Sequence, residues 1–382
     1  MTRVSTSWIA IGRLCNGAAL AMWAASGLAS DPPDVWTISA AGSATAVGQY
    51  GMFENAVSDS GEDVSDTGRG SLAIDLEAGF TNPAGGSGLI SGSFAEGNGL
   101  NGAGGVSLST NADDLKSDVK GINGHDRDYL LEAWYQQRFD LSDELDLELT
   151  GGLIDPTRYL DLNDYANDEV TQFMNEAFVN RLFIPSYDPG VRVGLSGDNW
   201  QADLVWIDSR RQNPTGQSVG FDFYAVGISM DYENALGPGE VNIDLQTTSR
   251  SFGRSGNSRV PGAALSISQS LGDGLGVFAR TALLRDDESA AIHRGLISAG
   301  LSYDLAIRNA QILSCGFAFA HLAGLGDETG NIRNSLAVES FARWSVSRRT
   351  SVTFDLQYVE DRLRRVEDPG LWAFSLRTHL LF

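Results

Sequence analysis

Residues 371–382 read LWAFSLRTHLLF. On an extended strand successive side chains point to opposite faces, so Trp372, Phe374, Leu376, Leu380 and Phe382 share one side, and Ser375, Arg377 and His379 share the other. The same division recurs at 145–154, where Leu145, Leu147, Leu149 and Leu153 oppose Asp146, Glu148 and Thr150. At 350–358, Val352, Phe354, Leu356 and Tyr358 oppose Thr353, Asp355 and Gln357. An apolar outside around a polar, charged inside inverts the arrangement of a soluble barrel and matches a barrel in a bilayer.

Working outward from these strands, the chain from Val35 onward reads as short alternating segments separated by polar or Gly-rich connections. The segments fall at 35–50, 69–80, 88–97, 127–139, 143–153, 191–197, 199–207, 220–232, 238–250, 259–270, 274–285, 292–305, 308–322, 335–346, 349–360 and 371–382. The expected fold is all-β, a transmembrane antiparallel β-barrel of about sixteen strands. Connections alternate between tight ones, such as 140–142, 197–198 and 347–348, and longer polar ones, such as 51–68, 98–126, 154–190, 208–219, 323–334 and 361–370. Short periplasmic turns and longer external loops produce this asymmetry, which places both termini on the periplasmic side. Tyr135, Trp200, Trp206, Trp344 and Trp372 are candidates for interfacial girdles.

The N-terminal part carries Arg3 and Arg13, an apolar run around Ala18–Ala25 and small residues at 27–30, the layout of a secretory signal peptide over 1–30. Its apolar run is shorter than the roughly 20 residues that a spanning helix needs. Residues 31–382 then form a single barrel domain, exported to the outer membrane of a Gram-negative bacterium. Beyond the leader only Cys315 remains, so an intramolecular disulfide is excluded. A net charge of −22 argues against nucleic acid as a partner. Acids in the external loops are expected to face outer-membrane lipid and lipopolysaccharide, bridged by divalent cations.

One connection stands out. Residues 151–180, GGLIDPTRYLDLNDYANDEVTQFMNEAFVN, are dense in Asp, Asn and aromatic residues and too long for a hairpin turn. They resemble the characteristic connection of the carbohydrate-selective outer-membrane porins, the OprB family, in which a GxxD element leads into D-x-N-x-Y-A-N-D-x-x-x-Q-F. Here that pattern is Asp161, Asn163, Tyr165, Ala166, Asn167, Asp168, Gln172 and Phe173. Residues 274–280, GLGVFAR, look like the family's GxFxR strand, and TFDLQYV at 353–359 looks like its penultimate strand. The chain departs from the family at Gly152-Leu153, where a Lys is often found, and after Arg308, where an acid is often found.

The resemblance implies passive, substrate-biased diffusion of mono- or small oligosaccharides, with residues 154–190 as an inward-folded third external loop that narrows the channel. Sugar recognition uses flat hydrogen-bonding groups for hydroxyls and aromatic faces for the pyranose ring. Loop candidates are Arg158, Tyr159, Asp161, Asn163, Asp164, Asn167, Asp168, Gln172 and Arg181; strand parity adds Glu132, Trp134, Gln136, Arg138, Arg280, Arg294, Glu339 and Arg343 from the wall. Parity sets Tyr129, Leu131, Tyr135 and Phe139 on the opposite face of their strand. The Asp/Asn run has a second reading, as the cap of a short helix over Asp168–Phe178 supplied by Asn167 or Asp168. The alternative function is a general porin, or one selective for anions or other small metabolites, because inward arginines serve carboxylates or phosphates as readily as sugars.

An enzyme on this barrel would need a histidine paired with a nucleophile and an orienting acid. His125, His293, His321 and His379 sit in no such motif, so no catalytic residues are expected. No Cys/His cluster calls for a metal, and no cofactor is expected. Monomers and trimers both suit a barrel of this kind.

Overall fold

The structure is a computed structural model that describes residues 35–58, 62–180, 183–212, 218–252, 258–285, 293–307, 311–324, 332–364 and 367–382. The leader assigned to 1–30 and Arg181 lie outside the described residues.

Among the described residues sixteen strands follow one another: β1 Thr37–Glu54, β2 Thr67–Thr81, β3 Gly86–Glu96, β4 Leu130–Ser142, β5 Leu145–Ile154, β6 Asp188–Gly197, β7 Trp200–Gln212 and β8 Ser218–Asn234 in the first half. The second half holds β9 Gly237–Thr248, β10 Gly262–Ser270, β11 Leu275–Leu284, β12 His293–Ala306, β13 Ile312–Gly324, β14 Ile332–Ser347, β15 Thr350–Leu363 and β16 Gly370–Leu381. Each pairs antiparallel with its neighbour in the chain, and β1 closes on β16, from Ser43 opposite Leu381 to Glu54 opposite Gly370. Closure leaves no unpaired sheet edge, the condition under which strands cross a bilayer. The shortest strand has nine residues and the longest eighteen, enough to span an apolar layer that needs about 9–11 tilted residues.

All sixteen segments read from the sequence coincide with strands, and the differences lie at their ends. β7 and β8 run on to Gln212 and from Ser218, so the connection expected at 208–219 contracts to 213–217. The short connections, including 143–144, 198–199, 235–236 and 348–349, gather at one end of the barrel, opposite 97–129 and 155–187.

The two faces follow the alternation. Ser375, Arg377 and His379 are buried, whereas Trp372, Phe374, Leu376, Leu380 and Phe382 are exposed on the outer surface. Tyr135, Trp200, Trp206, Trp344 and Trp372 are all exposed there too, and Trp372 packs on Tyr358 across the β15–β16 pair with ring centres 4.8 Å apart. Of the residues given a face from sequence, Leu131 and Arg294 depart from parity, and a β-bulge explains each. A register shift between Ser91 and Gly92 opposite β4 brings both Leu131 and Glu132 into buried positions, so Leu131 packs with Ala73, Ala95, Val119 and Ile122. A shift between His293 and Gly295 buries His293 and turns Arg294 outward, contrary to the inward placement that parity gives it.

No described helix is long and apolar enough to cross a membrane. The main apolar cluster joins connection residues Leu100, Leu108, Ala166, Phe173 and Phe178 to wall residues of β11–β16, among them Phe278, Ala318, Phe341 and Val359. Small alanines on the inward face of β13, β14 and β16 leave room for those larger side chains.

Candidate functional site

The connection 155–187 is built from local turns that satisfy its own backbone. Asp155 begins it by accepting from the Thr157 amide (3.0 Å) and hydroxyl (2.7 Å). Asp161 takes a left-handed backbone (φ 61°), which Asp tolerates better than most residues. Asn163 accepts from the Tyr165 and Ala166 amides at 3.0 and 3.1 Å. Asp168 accepts from the Val170 and Thr171 amides at 2.8 and 2.9 Å. The helix expected over Asp168–Phe178 is a single turn, α1 Glu176–Val179, and its cap is Asn175, which accepts from the Ala177 amide at 3.0 Å. Asp168 closes a separate turn upstream, because its carboxylate lies within reach of amides two and three residues on.

Side chains from around the barrel hold these turns. Glu132 of β4 accepts from Arg158 Nε (3.0 and 2.9 Å) and from Trp134 Nε1 (3.1 Å). The Arg192 guanidinium of β6 lies 4.1 Å from the Tyr159 ring centre and pairs with Glu148 and Asp203. Asp244 of β9 accepts from the Asp161 amide (3.1 Å), and Ser266 of β10 accepts from Asn163 Nδ2 (2.9 Å). Arg280 of β11 donates to the Asp161 carboxylate and to the carbonyls of Ala166, Phe178 and Val179. Glu339 of β14 accepts from the Met174 and Asn175 amides (2.6 and 2.9 Å), and Arg377 of β16 donates to the carbonyls of Glu169 and Gln172.

The three stretches that carry the family resemblance therefore meet in space. The Tyr165 ring lies so close to Gly276 that a Cβ there would sit 2.1 Å from it. Phe173 packs edge-on against Phe278 and Phe341, at 5.6 and 5.0 Å between ring centres. Gln357 accepts from Asn175 Nδ2 at 3.0 Å. Gly152, at the position of one departure from the family, has φ 144°, and a Cβ there would lie 2.2 Å from the Ala133 carbonyl oxygen. No side chain fits at that point of the wall.

Of the residues proposed from sequence, Glu132, Trp134, Arg158, Tyr159, Asp161, Asn163, Asp168 and Arg280 come together along this connection, and the Asn167 amide donates to Gln172 Oε1 at 2.9 Å. Arg138 sits nearer the short-turn end, paired with Asp140 and Asp146. Arg343 donates to Ser314 Oγ at 3.1 Å. Arg192, Asp244, Gln357 and Arg377 were not among the candidates, although inward parity marks each of them.

The other omission is the connection 97–129, which joins 155–187 directly. The Ala112 amide donates to the Met174 carbonyl (2.8 Å), the Ser109 amide to Glu176 Oε1 (2.9 Å), and Tyr187 Oη to Asp114 Oδ2 (3.2 Å). The wall holds it through Gln357, which donates to the Thr110 carbonyl (2.9 Å), and Asp361, which accepts from the Ser107 amide (2.6 Å). Acids collect where the two connections meet. Burial, with Asp75 adding repulsion, raises the Asp113 carboxyl to about 7. Burial and then Asp113 and Asp75 hold Asp114 well above the usual carboxylate range, and burial followed by Asp168 and Asp113 does the same to Glu169. Asp155 is raised by burial and then by Glu132.

His293 Nε2 lies 2.8 Å from Ser335 Oγ, but Asp361 accepts from that serine hydroxyl and does not orient the imidazole. Such an arrangement is the reverse of a hydrolytic triad. Among the described residues no group of three or more His, Cys, Asp or Glu side chains is placed to hold one metal ion.

No protein-family model matches the chain. An uncharacterized protein of Aquifex aeolicus is 35% identical over 111 residues, covering 28% of this chain and 33% of that protein. The fold is similar to that of Pseudomonas putida OprB, with a TM-score of 0.62 and 16% identity over 91% of this chain and 94% of that one. It is also similar to the outer membrane channel DcaP of Acinetobacter baumannii, with a TM-score of 0.56 and 11% identity over 93% of this chain and all of that one. A variant of the Rh. blastica porin gives a TM-score of 0.50 and 11% identity over 91% of this chain and all of that one. The chain has the sixteen-stranded barrel fold of outer-membrane porins.

Proposed function

We propose that the protein is an outer-membrane porin: a passive, water-filled channel for small polar solutes, narrowed by the connection 155–187 folded into its lumen. The observation that carries this reading is the combination of a closed barrel, apolar outside, with a connection tied to inward-facing residues of β4, β9–β11, β14 and β16. A loop fixed at this many points gives an aperture of set size, and passage needs contacts weak enough to permit exit. The outer apolar belt with its exposed tryptophans fits contact with lipid and lipopolysaccharide.

General diffusion is the better-supported form of this reading. Asp161, Asn163, Asp168 and Arg280, which the resemblance offers for sugar contact, are buried and bonded to the protein, so their role here is to shape the loop. A bias toward carbohydrates is the second reading, favoured by Trp134, Arg158, Tyr159 and Asn167, which remain partly exposed beside that loop.

Swelling of liposomes containing the purified protein tests both. Neutral solutes should enter at rates that fall with size, and a sugar that outpaces a polyol of equal size would establish the carbohydrate bias. Liposomes no more permeable than protein-free controls would overturn the channel reading.

A further inference from the structure

We propose that the constriction selects for cations, and that Asp113 and Asp114 of the connection 97–129 set this preference. The inference rests on the porin reading above.

Two independent features of the lumen lead to it. The first is the way its charges are partnered. The guanidinium groups along 155–187 are each engaged by protein: Arg158 on Glu132, Arg192 on Glu148 and Asp203, Arg280 on Asp161 and three carbonyls, and Arg377 on the carbonyls of Glu169 and Gln172, with the Nε of Arg280 and of Arg377 left without a partner among the described residues. Carboxylates, in contrast, are gathered without matching cations. Asp113, Asp114, Asp155 and Glu169 come from the two connections, and Asp75 comes from the inward face of β2. Asp113, Asp114, Asp155 and Glu169 lie near enough to other acids to feel their charge, and the nearest cations acting on them include Arg377 at Asp113 and Arg158 at Asp155. Both arginines are already held by other groups.

The second feature is Ser93. It stands directly opposite Asp75 in the β2–β3 ladder, on the same inward face, and is fully buried. Its hydroxyl has no hydrogen-bond partner among the described residues, although Asp75 itself accepts from Ser43 Oγ at 2.8 Å. The Ser93 hydroxyl, unpartnered beside the Asp75 carboxylate, marks a polar site in the wall behind the acids that no described protein group fills. Since the described acids are not grouped tightly enough to hold a metal ion, they act as a field along the path and not as a trap. A cleft lined by one sign of charge concentrates counter-ions and excludes co-ions while still letting them leave.

The test is the reversal potential of single channels in planar bilayers under a KCl gradient at pH 8, above the point at which Asp113 ionises. Wild type should pass K+ in preference to Cl−, and the D113N/D114N variant should lower the permeability ratio by about twofold or more with its open steps retained. The E62Q/D63N variant, altered at exposed acids of the connection 55–66, should match wild type. Wild-type channels that prefer Cl−, or a D113N/D114N ratio equal to wild type, would overturn the cation preference and leave the porin reading standing. Folded protein that opens no channels would overturn the porin reading and this inference with it.

Discussion

Arg280 illustrates how a single side chain organises the site. It sits on β11 with 3% of its surface exposed, and it gathers the Asp161 carboxylate and the carbonyls at the end of α1 into one contact. Removing one member of such a pair leaves the other charge buried and unpaired, at a cost of about 3–5 kcal/mol. Arg280→Ala is therefore expected to lower the temperature at which the barrel loses its heat-modifiable electrophoretic mobility, and to make open-channel current noisier as the connection 155–187 loosens. A variant with wild-type mobility and quiet current would show that Arg280 does not clamp the connection. Gly276 makes a complementary point about reading sequence. The glycine in the GxFxR stretch and the tyrosine of the long motif look like separate signatures, yet one is the seat of the other. Nothing in the spacing of the two residues could reveal that contact, because it spans five intervening strands.

At the scale of elements, the strands were legible and the connections only partly so. Strand parity is set by backbone geometry, so it predicted the inward faces of β5, β15 and β16 correctly and failed where a bulge inserts a residue, at Leu131 and Arg294. The connection 155–187 was marked by its composition. Its partner 97–129 is marked only by length and a Gly-rich start, and the contacts that fold it come from β1, β14 and β15, far away in sequence. The junction between the two connections carries a pH dependence with a definite sign. Asp113 is raised to about 7, with Asp75, Asp114 and Asp168 facing it as acids and Arg377 as a cation. Asp114, Asp155 and Glu169 are raised as well. A carboxyl whose folded pKa lies above its unfolded value stabilises the fold at acid pH, and this contribution is lost as pH rises through the folded value. The same titration puts negative charge on the junction. The K+/Cl− permeability ratio is accordingly expected to climb between about pH 6 and 8, and the climb should flatten in D113N/D114N. A ratio constant over that range in wild type would contradict the assignment.

On the scale of the whole molecule, the apolar exterior and polar interior first read at 371–382 extend around a closed ring of sixteen strands. The strand count and topology were legible because every strand pairs with its neighbour in the chain, so sequence order is spatial order. What solute passes was less legible, since the residues of the motif that resembles a sugar channel are largely spent on holding a loop. We propose above all that this barrel is an open, constricted, passive pore. Single-channel recording of the purified, heat-modifiable protein in planar bilayers tests it most directly. Discrete, long-lived steps are expected, with current proportional to voltage and a size uniform from one insertion to the next. Folded protein that inserts into the bilayer and leaves its conductance at baseline would contradict it.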